Sequence, residues 1–148
     1  GRLLRSVVAE LVKHAYDKTG VDINVGYTNL ICCRPADSAL AVNRPPSTNE
    51  VAKCTQRLHE FIEIAKPNVI VLLGRVPQHF YKACDKVQSK VYGTYHPSYI
   101  LRNGGQNSPV YNTFVENIAE AIVQSAKVNS NNNKKAKSSS EKGTPSNA

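Results

Sequence analysis

The residues best equipped for chemistry lie in the run Val91-Tyr92-Gly93-Thr94-Tyr95-His96-Pro97-Ser98-Tyr99-Ile100-Leu101-Arg102. Its first part is rich in β-formers, and the His-Pro step ends the strand, because proline lacks a backbone donor and fixes its own φ. Ser98 can cap the helical turn that follows. An imidazole delivered to a loop at a strand's carboxyl end, followed by hydroxyls, aromatics and a cation, suits a site for an anionic ligand. A solvated turn histidine without a role fits this stretch alone equally well. Two further groups share the setting: Asn29 followed by Cys32-Cys33-Arg34-Pro35, and Gly74-Arg75. Each follows a run with strand character, and in an open parallel sheet ligands bind beyond the carboxyl ends of the strands. An amide, a cation, a glycine permitting close approach and an imidazole on one rim would make a coherent site for a nucleobase joined to phosphate.

The elements that must position these groups are legible in the pattern. Leu3, Leu4, Val7, Val8, Leu11 and Val12 recur at helical spacing, with Gly20 as the stop. Residues 21–33 are rich in β-formers and read as the first strand. A Pro-rich loop over 34–46 leads to Ser47-Thr48-Asn49-Glu50, a capping box that opens a helix closed by Pro67. Val69-Ile70-Val71-Leu72-Leu73, ended by Gly74, reads as a strand buried on both faces in a parallel sheet. A short helix over 75–84, the strand leading to His96 and a closing helix over 110–127 complete the alternation. That order specifies a three-layer α/β/α domain with a central parallel sheet.

Composition narrows the function classes. With 148 residues and 41% apolar content, the chain supports one domain with one core, over residues 1–128. Residues 129–148 are almost entirely Asn, Ser, Lys and small residues and read as a disordered basic tail. The tail holds +3 of the formal net charge of +8, and the +5 left in the body favours a polyanionic partner. No run is long and apolar enough to span a membrane, and the opening lacks the order of a secretory signal, so the expected location is intracellular. Cysteines at positions 32, 33, 54 and 84 then point to metal ligation or burial rather than disulfides. The chain has no methionine and is read as processed or as a piece of something longer.

Five blocks, in order and spacing, carry a family resemblance: Tyr27-Thr28-Asn29-Leu30-Ile31-Cys32-Cys33-Arg34-Pro35; Asn43-Arg44-Pro45-Pro46; Glu50-Val51-Ala52-Lys53-Cys54; Lys66-Pro67-Asn68-Val69-Ile70-Val71-Leu72-Leu73-Gly74-Arg75; and Thr94-Tyr95-His96-Pro97-Ser98-Tyr99-Ile100-Leu101-Arg102. Together they resemble the iron–sulfur uracil-DNA glycosylases and their phage polymerase-associated relatives, from the first helix to about Lys127. The resemblance implies a four-stranded parallel sheet whose first strand lies outside this sequence, between the strands ending at Asn29 and Gly74. It implies hydrolysis of the N-glycosidic bond of uracil in DNA, for base excision repair. The partner would be uracil-containing DNA, met by a monomer with no membrane attachment.

Carried over residue by residue, Asn29 looks like the amide that reads the flipped base, and His96 like the donor to uracil O2 as negative charge develops there. Ser98 joins them as a substrate contact, and Arg34, Arg44 and Arg102 as DNA contacts. Cys33 and Cys54 match half of the ligand set of a 4Fe–4S cluster, which needs four thiolates. Cys54 also sits on the apolar face of its helix, so burial as a small hydrophobe stays open. The family's water-positioning group and stacking aromatic belong to the block before Gly1, so residues 1–148 alone are expected to be inactive. Two other readings stand beside this one: a non-catalytic DNA-binding module of the same fold, associated with replication or recombination, and a purely structural iron–sulfur domain.

Overall fold

The computed structural model describes residues 1–32, 36–37 and 42–141. The amphipathic opening forms helix α1 (Arg2–Thr19), which stops where Gly20 takes a left-handed φ of 67° and its N–H closes on the Tyr16 carbonyl. A short antiparallel pair, β1 (Ala36–Asp37) and β2 (Val42–Asn43), lies within the loop read from the prolines. Helix α2 (Thr48–Ala65) begins with the expected capping box. Ser47 Oγ accepts from the Glu50 N–H, and the Glu50 carboxylate accepts from the Ser47 N–H. Strand β3 (Val69–Leu73) pairs in parallel with β4 (Lys90–Thr94), in register from Val69 opposite Lys90 to Leu73 opposite Thr94. Between them lies α3 (Arg75–Phe80), shorter than the 75–84 expected because Tyr81 turns extended and Cys84 tucks under α2.

The chain then forms α4 (Pro97–Arg102), a single 3-10 turn (Gly105–Asn107) and the long α5 (Tyr111–Glu141). Two apolar clusters flank the strands. On one side α1 and α5 bring Val7, Val8, Ala15, Phe114, Ile118 and Ile122 together with Ile23 and Ile100. On the other, Leu58 and Ile62 of α2 pack with Cys84 and reach Ile70 of β3. The layering is therefore α/β/α around a parallel sheet, as the alternation of elements requires.

Three expectations change. Residues 20–29 carry no regular secondary structure, because no strand among the described residues lies beside them to complete a ladder. Strand β3 is half-buried along its whole length rather than enclosed on both faces. Both differences trace to a cavity of about 1080 Å³ between residues 23–31 and β3, floored by Leu4, Val8 and Ile118 and roofed by Leu58, Phe61 and Ile62. An extended residue fills about 160 Å³, from a rise near 3.3 Å, a strand spacing near 4.8 Å and a layer spacing near 10 Å, so the cavity has the size of roughly seven strand residues. This is the position at which the family's further strand is expected. Third, residues 129–141 continue α5 rather than forming a disordered tail. Propagation onto an anchored helix avoids the nucleation cost, and Asn129 ties the continuation to the Asn68 side-chain amide at 2.7 Å. Residues 142–148 lie outside the described part.

Candidate active site

His96 is placed by backbone geometry on both sides. At the end of β4, Thr94 is buried, and its carbonyl accepts from the Gly74 N–H at 2.8 Å and from Gln78 Nε2 at 2.9 Å. The Thr94 hydroxyl accepts from Asn117 Nδ2 of α5 at 3.1 Å. Two residues on, the chain enters α4 with Pro97 at its first position, where the missing N–H costs nothing. Ile100 in the next turn is fully buried in the α1–α5 cluster and anchors α4. Gly74 makes the close approach possible. It sits at φ 87° and ψ 178°, a region open essentially to glycine alone, and a Cβ there would lie 3.0 Å from His96 Cβ.

The cap of α4 is His96 itself rather than Ser98. Its Nδ1 accepts from the Ser98 N–H at 3.1 Å and lies 2.7 Å from Ser98 Oγ. A nitrogen that accepts a backbone N–H carries no proton of its own, so the neutral ring holds its proton on Nε2. Ser98, expected as a substrate contact, meets the imidazole through both its N–H and its hydroxyl. The ring's pKa lies below the ordinary histidine value, chiefly through partial burial and further through the charge of Arg102. At neutral pH the site therefore presents an uncharged N–H donor.

Asn29 and His96 line the same cavity, together with Gly74, Arg75, Ser98 and Arg102. The strand-end groups are thus brought to one place even though residues 20–29 pair with no strand. Ile23 sinks into the α1–α5 cluster, Leu30 packs beneath α2, and Arg5 lies 4.3 Å over the Tyr27 ring. Arg57 of α2 donates to the Asn29 carbonyl at 2.6 Å, a contact between residues 28 apart that no local pattern announces. The Thr94 network likewise joins Gln78 and Asn117, neither of which is marked by motif or spacing. Tyr95 and Tyr99 stack at 5.6 Å on either side of the His96 turn, both well exposed.

The remaining sequence-derived positions are dispersed. Arg102 is exposed in the last turn of α4, free to face an anionic ligand. Arg44 binds Glu50 through both guanidinium nitrogens, at 3.0 and 2.6 Å. This bond, then the Ser47 N–H, lowers the Glu50 pKa from 4.5 to about 2. Arg34 and Cys33 lie outside the described residues. Cys32 is exposed, Cys54 half-buried on α2 and Cys84 buried against Leu58 and Ile62. Among the described residues no three His, Cys, Asp or Glu side chains gather as a metal site. The described residues therefore do not supply the four thiolates of a 4Fe–4S cluster.

The family model described as the Uracil DNA glycosylase superfamily matches residues 1–119. This chain belongs to that superfamily. Among curated relatives, it is 37% identical over 89 residues to the Type-4 uracil-DNA glycosylase of Thermotoga maritima, covering 51% of this chain and 44% of that protein. It is 31% identical over 121 residues to the Type-4 uracil-DNA glycosylase of Archaeoglobus fulgidus, covering 68% and 55% respectively. A third, from Sulfurisphaera tokodaii, is 28% identical over 123 residues, covering 70% of this chain and 51% of the relative. The chain spans about half the length of the curated relatives it matches. No solved structure matches it with significance. Asn29 and His96 both line the cavity of this superfamily member. No helix among the described residues is long and apolar enough to cross a membrane.

Proposed function

We propose that the full-length protein is a uracil-DNA glycosylase of base excision repair, with residues 1–128 as its glycosylase domain. The observation that carries this is the bond from the Ser98 N–H to His96 Nδ1 at 3.1 Å, which leaves the ring's proton on Nε2. A neutral imidazole with its proton on Nε2 has one donor to offer, on a residue lining the cavity that Asn29 also lines. As the glycosidic bond of a flipped deoxyuridine breaks, negative charge builds on uracil O2, and an oriented donor stabilises that charge more than it stabilises the ground state. The Asn29 amide complements the base edge, its Nδ2 donating to O4 and its Oδ1 accepting from N3–H. Ser98 keeps the imidazole in the donating tautomer. Arg102 holds the neighbouring phosphates, with Arg34 and Arg44 as further backbone contacts, Arg44 through whatever its Glu50 bond leaves available.

Cys33 and Cys54 are assigned as half the ligand set of a 4Fe–4S cluster, on their match to the family blocks. The protein acts as a monomer on uracil-containing DNA inside the cell. The test is excision by the full-length protein from oligonucleotides carrying one uracil, thymine or cytosine. Free uracil and an abasic strand are expected from the first alone. Binding of all three without release of base would favour the non-catalytic DNA-binding module.

A further inference from the structure

We propose that Arg57 is a positioning residue that holds Asn29 in its base-reading orientation. This rests on the role given to Asn29 above. Residues 20–29 have no ladder partner among the described residues. Arg57 holds their end from the facing helix. Its Nη2 donates to the Asn29 carbonyl at 2.6 Å, and its Nη1 lies 3.4 Å from the Thr28 hydroxyl. A charged donor at that distance makes a strong hydrogen bond. A guanidinium bridging two successive residues fixes the peptide plane from which the Asn29 side chain departs.

The placement of Arg57 follows from those contacts rather than from its own hydration. Its Nε–H is buried and has no hydrogen-bond partner among the described residues, a cost that an outward-turned arginine would avoid. Next to it and one turn along, Leu58 and Phe61 fix the same stretch of α2 against the segment: Leu58 packs near Leu30, and Phe61 lies 3.5 Å from where a Cβ on Gly26 would stand. Arg57 does not line the cavity itself, so it acts on the base only through Asn29.

A double-mutant cycle in the full-length protein separates this role from a general one. Single-turnover excision at saturating uracil-containing DNA is measured for wild type, Arg57→Gln, Asn29→Ala and the double variant, beside DNA affinity and the melting curve. Arg57→Gln should slow excision about tenfold with DNA affinity unchanged, since misorientation of a positioned group is felt in the chemical step. Arg57→Lys, which keeps one charged donor, should recover most of the loss. In the Asn29→Ala background, either Arg57 substitution should have no further effect. If the losses multiply instead, Arg57 acts elsewhere and the proposal falls; it falls equally if Arg57→Gln excises at the wild-type rate. If Arg57→Gln fails to fold, the cycle is run with Arg57→Met, which keeps the aliphatic stem and removes the donors, and the same criterion decides. Wild-type excision by Asn29→Ala would instead refute the base-reading role on which the proposal stands.

Discussion

Gly74→Ala probes how the fold holds His96. At φ 87° and ψ 178° an alanine backbone is strained by about 1–3 kcal/mol. Its Cβ would meet His96 Cβ at 3.0 Å, whereas carbon atoms pack best from about 3.5 Å outward, so the imidazole must move by about half an ångström. A catalytic group displaced by a full ångström loses on the order of a hundredfold in rate, so half of that corresponds to about tenfold. The strain should lower the melting temperature by about 6 °C, taking ~2 kcal/mol and the entropy of unfolding expected at this chain length. The assay pairs a thermal melt with single-turnover excision in the full-length protein. Gly20→Ala is the control. It is strained likewise, at φ 67°, but nothing lies within 4 Å of its Cβ, and it ends α1 away from His96. Unchanged melting and unchanged excision in Gly74→Ala would refute the reasoning. A lower melting temperature with unchanged excision would show that His96 is not held by this contact.

Other outcomes follow from the same geometry. Ile100→Ala should lower unfolding free energy by about 2–5 kcal/mol in a denaturant titration, because Ile100 is fully buried and anchors α4; a loss under about 1 kcal/mol would deny it that role. The Arg44–Glu50 bond holds the Glu50 carboxyl near 2 against an ordinary 4.5. Its contribution is therefore complete above pH 4.5 and is lost as pH falls from 4.5 through about 2. Glu50→Gln should flatten that part of the acid-melting profile, and an unchanged profile would contradict the assignment. Arg102→Ala should reduce the dependence of log affinity on log salt by about one unit; an unaltered slope would remove Arg102 from the phosphate contacts.

Local signals were legible wherever local chemistry decides structure. The Ser47 and Glu50 capping box, the run from Val69 to Leu73 and the break at Pro97 each lie within a few residues of the feature they specify. Strand character over residues 21–33 was equally visible, yet a strand is defined by its neighbour, and no propensity in Val21 or Ile23 can supply one. The tail was misjudged for a related reason. Its composition cannot nucleate a helix, but α5 is already nucleated by the packing of Phe114 and Ile118, and the turns after Asn129 need only propagate. The cap of α4 was read one step off: Ser98 and His96 are neighbours in sequence, but which of them caps the helix depends on where its first turn begins. Arg57, Gln78 and Asn117 carried no sequence signal because each acts on a residue far away in the chain.

The most direct test of the central claim is the release of free uracil by the full-length protein and its His96→Ala variant, measured in single turnover at saturating DNA. Wild type should release uracil quantitatively. The variant should bind the same DNA with equal affinity and release uracil slower by on the order of a hundredfold or more, the usual effect of losing one donor to a developing anion. Equal rates for the two proteins would contradict the assignment of His96 and with it the account of this cavity as the site of base excision.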